Sequence, residues 1–182
     1  MRKLVLTEFM TLDGIVEDPH KWSFPYWNDD VSAFKTAELL ASDAMLLGRV
    51  TYEGFAASWP NRDNSDDFTR RMNTYPKHVA SRSLKGDLEW NNSHVIEGDL
   101  AKGVVALKEQ AGQDIVVHGS PTLARSLMKE GLIDEYHLLV YPVVLGSGKR
   151  LFAEALPKDS LKLAESKQLG DTVVALTYVP AK

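Results

Sequence analysis

No cysteine occurs among the 182 residues. That excludes disulfides, thiolate metal sites and thiol catalysis together. No apolar run approaches the roughly 20 residues that a membrane-crossing helix needs. Basic runs are missing too. Lys plus Arg total 21 against 25 for Asp plus Glu, a formal net charge of −4, so nothing electrostatic points to nucleic acid or an anionic membrane as partner. The opening MRKLVLTEFMTLDG meets Glu8 and Asp13 before an apolar signal core can form. Internal repeats, low-complexity tracts and linkers are likewise lacking. The expectation is a single domain over residues 1–182, long enough to bury a sizeable core and residing in the cytoplasm.

Apolar periodicity alternates between strand-like and helix-like blocks. Lys3–Met10 reads as a strand ending in the turn-prone Thr11-Leu12-Asp13-Gly14. The aromatic segment Trp22–Trp27 reads as a loop because of Pro25. A helix follows from about Asp30 to Ala41, with Val31, Phe34, Ala37 and Ala41 on one face and Asp29 or Asp30 as its N-cap. Ala44–Leu47 is a buried-strand run leading through Gly48-Arg49 into a short helix to Phe55. After a polar loop, Lys77–Ser81 and His94–Ile96 read as short strands, and Leu100–Ala111 has helical spacing. Asp114–His118 is a strand. Ser120 as N-cap and Pro121 at the first helical position open the next helix, which Gly131 stops. Glu135–Val144 is a strand, and Leu161–Leu169 with Thr172–Val179 forms a terminal hairpin around Gly170-Asp171. Such alternation predicts an α/β fold: a mainly parallel central sheet flanked by helices, with antiparallel strands at a C-terminal edge.

Two turns share one layout of buried strand, glycine, small polar residue and helix. They are Leu47-Gly48-Arg49-Val50-Thr51 and Val117-His118-Gly119-Ser120-Pro121-Thr122. Such turns direct free amides and a helix dipole at one point, which suits a phosphate. They also serve simply as tight strand–helix connections. Ser81-Arg82-Ser83 is either a further phosphate seat or an exposed polar turn. Gly146-Ser147-Gly148-Lys149-Arg150 is no Walker A loop, because Val143 and Arg150 stand where Gly and Ser or Thr are required. Nor is it a Rossmann fingerprint, lacking the third glycine. The five histidines have no ligand spacing, so no metal is expected. Asp13 is a general-acid candidate or an Asx-type turn residue before Gly14.

Taken in order, TLDG (Thr11–Gly14), LLGRVTYEGF (Leu46–Phe55), VVHGSPTLARSL (Val116–Leu127) and GLIDEYHLLVYPVVLGSGKRLF (Gly131–Phe152) resemble the dihydrofolate reductase superfamily. More closely, they resemble stand-alone bacterial relatives of the riboflavin-pathway reductase domain. The resemblance implies a dihydrofolate-reductase-like fold, NADPH as hydride donor and a homodimer. It implies that Gly48, Arg49 and Thr51 hold cofactor phosphates, with Arg49, Ser81, Arg82 and Ser83 toward the adenosine end and its 2′-phosphate. Gly119, Ser120 and Thr122 would take the diphosphate from the other side. Gly146 and Gly148 would lie near the cofactor or substrate mouth, and the Thr11–Gly14 turn beside the nicotinamide. The pattern departs from the riboflavin reductases at His118, where they usually carry an acidic residue, and in its Gly-Arg-x-Thr form at Gly48–Thr51. The zinc-binding deaminase half of the bifunctional enzymes is absent.

The function expected on this basis is reduction of a small heterocycle. A 5-amino-6-(5-phosphoribosylamino)uracil-like substrate comes first by analogy and a pterin second, and a non-catalytic NADPH-binding protein is the other class. The proton would come from Asp13, Asp30 or water. Trp22, Phe24, Tyr26 and Trp27 would stack on a planar substrate or pack against the sheet.

Overall fold

The computed structural model describes residues 1–86, 88–152, 156 and 158–181. In chain order its elements are β1 (Leu4–Thr11), α1 (Asp29–Leu40), β2 (Ser42–Gly48), α2 (Arg49–Ser58), α3 (Asp67–Thr74), β3 (Lys77–Ala80), β4 (Ser93–Val95), α4 (Leu100–Glu109), β5 (Asp114–His118), α5 (Pro121–Lys129), β6 (Glu135–Tyr141), β7 (Leu161–Leu169) and β8 (Val173–Pro180). The strands form one sheet in the order β4-β3-β2-β5-β1-β6-β8-β7. The six from β4 to β6 pair in parallel. β8 joins β6 antiparallel and β7 closes the edge antiparallel. This is the α/β arrangement expected from the sequence, with its antiparallel C-terminal edge.

Strand alternation sorts the core into two layers. Leu4, Leu6, Leu46, Ile115 and Val117 join Val104 and Leu107 of α4 and Leu123, Ala124 and Leu127 of α5 on one face. Met45, Leu47 and Val116 turn the other way, toward Leu39 of α1 and Tyr52 of α2. A continuous apolar run such as Ala44–Leu47 is thus what a strand buried on both faces requires.

Helix α1 departs from the expected amphipathic stripe. Ala37 and Ala41 are exposed, while Val31, Lys35, Glu38 and Leu39 are buried. Its buried face carries an ion pair rather than alanines. Its N-cap is Asn28, whose Oδ1 accepts from the Val31 amide at 3.0 Å, not Asp29 or Asp30. Helix α3 lies within the segment expected to be loop, capped by Asp66 and burying Thr69, Met72 and Asn73. The Trp22–Trp27 loop contains a single 3-10 turn at Phe24–Tyr26. Strand β6 ends at Tyr141, three residues before the expected Val144. No helix among the described residues is long and apolar enough to cross a membrane.

Because β1, β2, β3, β5 and β6 are parallel, the turns leaving their carboxyl ends share one edge of the sheet. β1 and β5 are neighbours there. The chain leaves β1 toward β2 over one face, through α1, and leaves β5 toward β6 over the other, through α5. That is a topological switch point, where open α/β sheets leave a crevice for ligands.

Candidate active site

Sheet order lines up three of the turns: Ser81–Ser83 after β3, Gly48–Thr51 after β2 and Gly119–Thr122 after β5. The Gly48 and Gly119 turns face each other. The Gly48 amide donates to Ser120 Oγ at 2.9 Å, and the same hydroxyl donates to the His118 carbonyl at 3.1 Å. Ser120 occupies the N-cap position of α5 with Pro121 after it, as expected, but its side chain makes no capping hydrogen bond. It is held in the left-handed region (φ 64°), so its hydroxyl reaches across to β2 rather than back to its own helix. Gly119 has φ 55°, and a Cβ placed there would lie 3.9 Å from both Thr51 Oγ1 and Glu8 Oε2. Among the described residues, its neighbours His118 and Ser120 aside, no atom lies nearer than 3.9 Å to that point, which Thr51 in the first turn of α2 borders.

The outer residues of this row are exposed. Arg49 is paired with Glu53 on its own helix at 2.8 Å. Ser81 Oγ accepts from the amides of Ser83 and Leu84 at 3.2 and 2.9 Å, a hydroxyl-closed turn that presents Arg82 to solvent. Thr122 is exposed on α5.

The carboxylates named from sequence both hold loops. Asp13 Oδ1 accepts from Thr11 Oγ1 at 2.6 Å and Oδ2 from the Gly146 amide at 2.7 Å. The Leu145 amide adds a longer bond at 3.3 Å. The Thr11 hydroxyl first, then the Gly146 amide, lower its pKa to about 2, so at neutral pH Asp13 carries no proton to give. Asp30 Oδ2 accepts from the Gly170 amide at 3.0 Å and pins the β7–β8 turn to α1. Gly146 therefore meets Asp13, whereas Gly148 and Trp22 line a cavity of about 220 Å³ with Ile15, Leu145 and Ser147. Trp22 is buried edge-on to Tyr141, and Tyr26 packs against the same ring at 6.2 Å. Phe24 and Trp27 are exposed.

Beneath these loops lies a polar layer that sequence reasoning missed. Thr7 pairs in register with His118 on one side and His137 on the other, a row across β5, β1 and β6 on the face that α1 covers. Lys35 Nζ donates to Thr7 Oγ1 at 2.7 Å and pairs with Glu38. Glu38 Oε1 meets His137 Nδ1 at 2.6 Å, and His137 Nε2 meets Glu135 Oε1 at 2.7 Å. Burial pushes the Glu38 pKa up, but Lys35 and His137 outweigh it and bring it to about 2. Burial opposes the imidazolium of His137, yet its two carboxylate partners raise its pKa. Among the described residues His118 is buried without a carboxylate or other hydrogen-bond partner at Nε2, and burial and then Lys35 lower it to about 3. On the other face, Glu8 is buried with Oε1 unpartnered among the described residues, and burial raises it to about 8 against the pull of Lys35. The legible signal was Thr7-Glu8, a polar pair inside an apolar strand. Among the described residues no group of three or more His, Asp or Glu could hold a metal ion.

Residues 2–175 match the family model of the RibD C-terminal domain. The chain belongs to that family. It is 32% identical over 189 residues to the uncharacterized protein YwjB of Bacillus subtilis (strain 168), covering 99% of each chain. Among solved structures it superposes on a Shewanella sp. PV-4 protein named for riboflavin biosynthesis, with TM-score 0.81, 20% identity and 99% of each chain covered. Dihydrofolate reductase from Enterococcus faecalis follows the same course, with TM-score 0.61, 14% identity and 99% and 97% of the two chains covered. At these identities the structural likeness is one of fold.

Proposed function

We propose that the protein is an NADPH-dependent reductase of a small heterocyclic substrate, of the pyrimidine type handled in riboflavin biosynthesis. One observation carries this reading: the Gly48 and Gly119 turns meet at the switch point, joined by the 2.9 Å bond from the Gly48 amide to Ser120 Oγ. The glycine amides are themselves bonded, Gly48 to Ser120 Oγ and Gly119 to the Thr7 carbonyl, so it is the first-turn amides and dipoles of α2 and α5 that would meet a single diphosphate. Arg49, Arg82 and the serines at 81 and 83, farther along the same edge, suit the adenosine end and a 2′-phosphate. Family membership supports the reading, and the superposed E. faecalis enzyme is complexed with NADP(H).

Bound NADPH would supply the hydride. The residues of this chain would hold both phosphate regions so that transfer becomes a matter of positioning. The substrate would enter from the β1 and β6 loops, beside Trp22, Tyr26, Gly146 and Gly148. With Asp13 and Asp30 both holding loops, this reading takes the proton from water admitted at the crevice. The protein acts as a homodimer, which sedimentation at micromolar concentration reads directly.

A fluorescence titration with NADPH at pH 7 tests the cofactor. Binding in the micromolar range, weakened on replacing NADPH by NADH and in Arg82→Ala, is expected. Absence of binding would remove both the reductase and the non-catalytic NADPH-binding alternative.

A further inference from the structure

Glu8 stands on β1 with only 3% of its surface exposed. Its Oε1 has no hydrogen-bond partner among the described residues. Its Oε2 borders the side-chain-free point at Gly119 that Thr51 Oγ1 also borders. Buried carboxyl groups are ordinarily paired or hydrogen-bonded. One left open beside a glycine turn calls for a partner from outside the chain.

Among the described residues the chain supplies none. By strand alternation Thr7 and Glu8 point to opposite faces, and Lys35, the charged group that acts on Glu8, is bonded to Thr7 and Glu38. His137 is held between Glu38 and Glu135. His118, at the end of β5, is kept neutral by burial. On α2 the guanidinium of Arg49 is committed to Glu53 at the surface. From α5 the nearby polar group is the uncharged Ser120.

We propose that Glu8 is a ligand-contacting residue of the dinucleotide site, entering the complex as the neutral carboxylic acid and donating a hydrogen bond to an oxygen of the cofactor that crosses the Gly119 turn. The inference rests on the NADPH reading above. The ionised form offers only acceptors, and it would set a buried negative charge beside an anionic ligand. The neutral acid offers a donor and no charge. Cofactor binding is then linked to a proton. With a carboxyl that titrates near pH 8, the free protein already holds the proton at pH 7. Above pH 8 the carboxylate must take one proton from solvent for each cofactor bound.

The test is a fluorescence titration with NADPH from pH 7 to pH 9.5 on the wild type and Glu8→Gln. Calorimetry on the wild type at pH 9, in two buffers of different ionisation enthalpy, counts protons. The expected wild-type Kd is flat near pH 7 and rises roughly tenfold per pH unit beyond 8, with about one proton taken up. Glu8→Gln should bind with a Kd that does not change over this range. The same pH dependence in both proteins, tighter wild-type binding with rising pH, or no proton uptake would overturn the proposal while leaving NADPH binding intact. Failure of the wild type to bind NADPH at pH 7 would remove the cofactor reading and this inference with it. Should Glu8→Gln not fold, the wild-type proton count decides alone.

Discussion

The amide of Gly48 and the hydroxyl of Ser120 lie 2.9 Å apart across the β2–β5 boundary, 72 residues apart in the chain. One serine side chain thereby fixes the distance between two phosphate-suited turns. Ser120→Ala removes the acceptor for Gly48 and the donor to the His118 carbonyl. A loss of about 1–2 kcal/mol in urea unfolding is expected. NADPH affinity should fall along with it. Unchanged unfolding midpoints would mean that water replaces the hydroxyl.

Gly119 separates stability from binding. Its φ of 55° makes any side chain strained, at roughly 1–2 kcal/mol. The nearest atoms to an added methyl are nonetheless 3.9 Å away, so the fold has room for it. Gly119→Ala should therefore remain folded, with its unfolding midpoint lowered modestly. The methyl occupies the point where a ligand would approach the turn, so NADPH affinity should fall by tenfold or more. Equal affinity in the two proteins would put the cofactor somewhere else.

The Lys35–Glu38 pair is buried on both sides. Glu38→Leu leaves an ammonium without its anion and frees one nitrogen of His137 as well. A cost of about 3–5 kcal/mol is expected, whereas Lys35→Met combined with Glu38→Leu should cost less than the single change. Chemical denaturation of the four proteins in the cycle reads the coupling. His137 adds a pH signature. Its folded pKa is raised, so its contribution is complete below its ordinary value and is lost as pH rises through the folded one. His137→Gln should flatten the decline in stability above neutral pH.

Strands and turns were legible because their signals are local. The Ala44–Leu47 run with Gly48, and Ile115–Val117 with Gly119, announce buried strands that end in tight turns. The parallel order then brings those turns to one edge, as the alternation of elements implies. What sequence concealed were groups whose burial depends on partners far along the chain. Lys35 and Glu38 carry no sequence signal of burial, since isolated charges are seldom buried; here Thr7 and His137, 28 and 99 residues distant from their partners, satisfy them. Helix α3, DFTRRMNT, was hidden by its charge. It is held by Asn73, whose side chain bonds the Trp59 carbonyl and the Trp90 indole. Asp13 and Asp30 drew attention as carboxylates at strand and helix ends, and their partners at Gly146 and Gly170 became visible only once the loops were closed.

Glu8 makes a prediction that needs no ligand. Its carboxyl has an ordinary value of 4.5 when exposed and about 8 when folded. Between those values the native state keeps a proton that the unfolded chain has released. The stabilising contribution is therefore complete below pH 4.5 and is lost as pH rises to 8, beyond which the slope vanishes. At pH 7 the loss amounts to something on the order of 3 kcal/mol. Glu8→Gln is neutral throughout and has no such loss, so its urea midpoint should overtake the wild type's as pH climbs from 4.5 to 8. His137 cannot imitate this, because its own decline begins only near its ordinary value of 6.5 and is present in both proteins. Parallel midpoint curves across the range would show that Glu8 ionises normally in the folded chain, and that its open oxygen is satisfied by water.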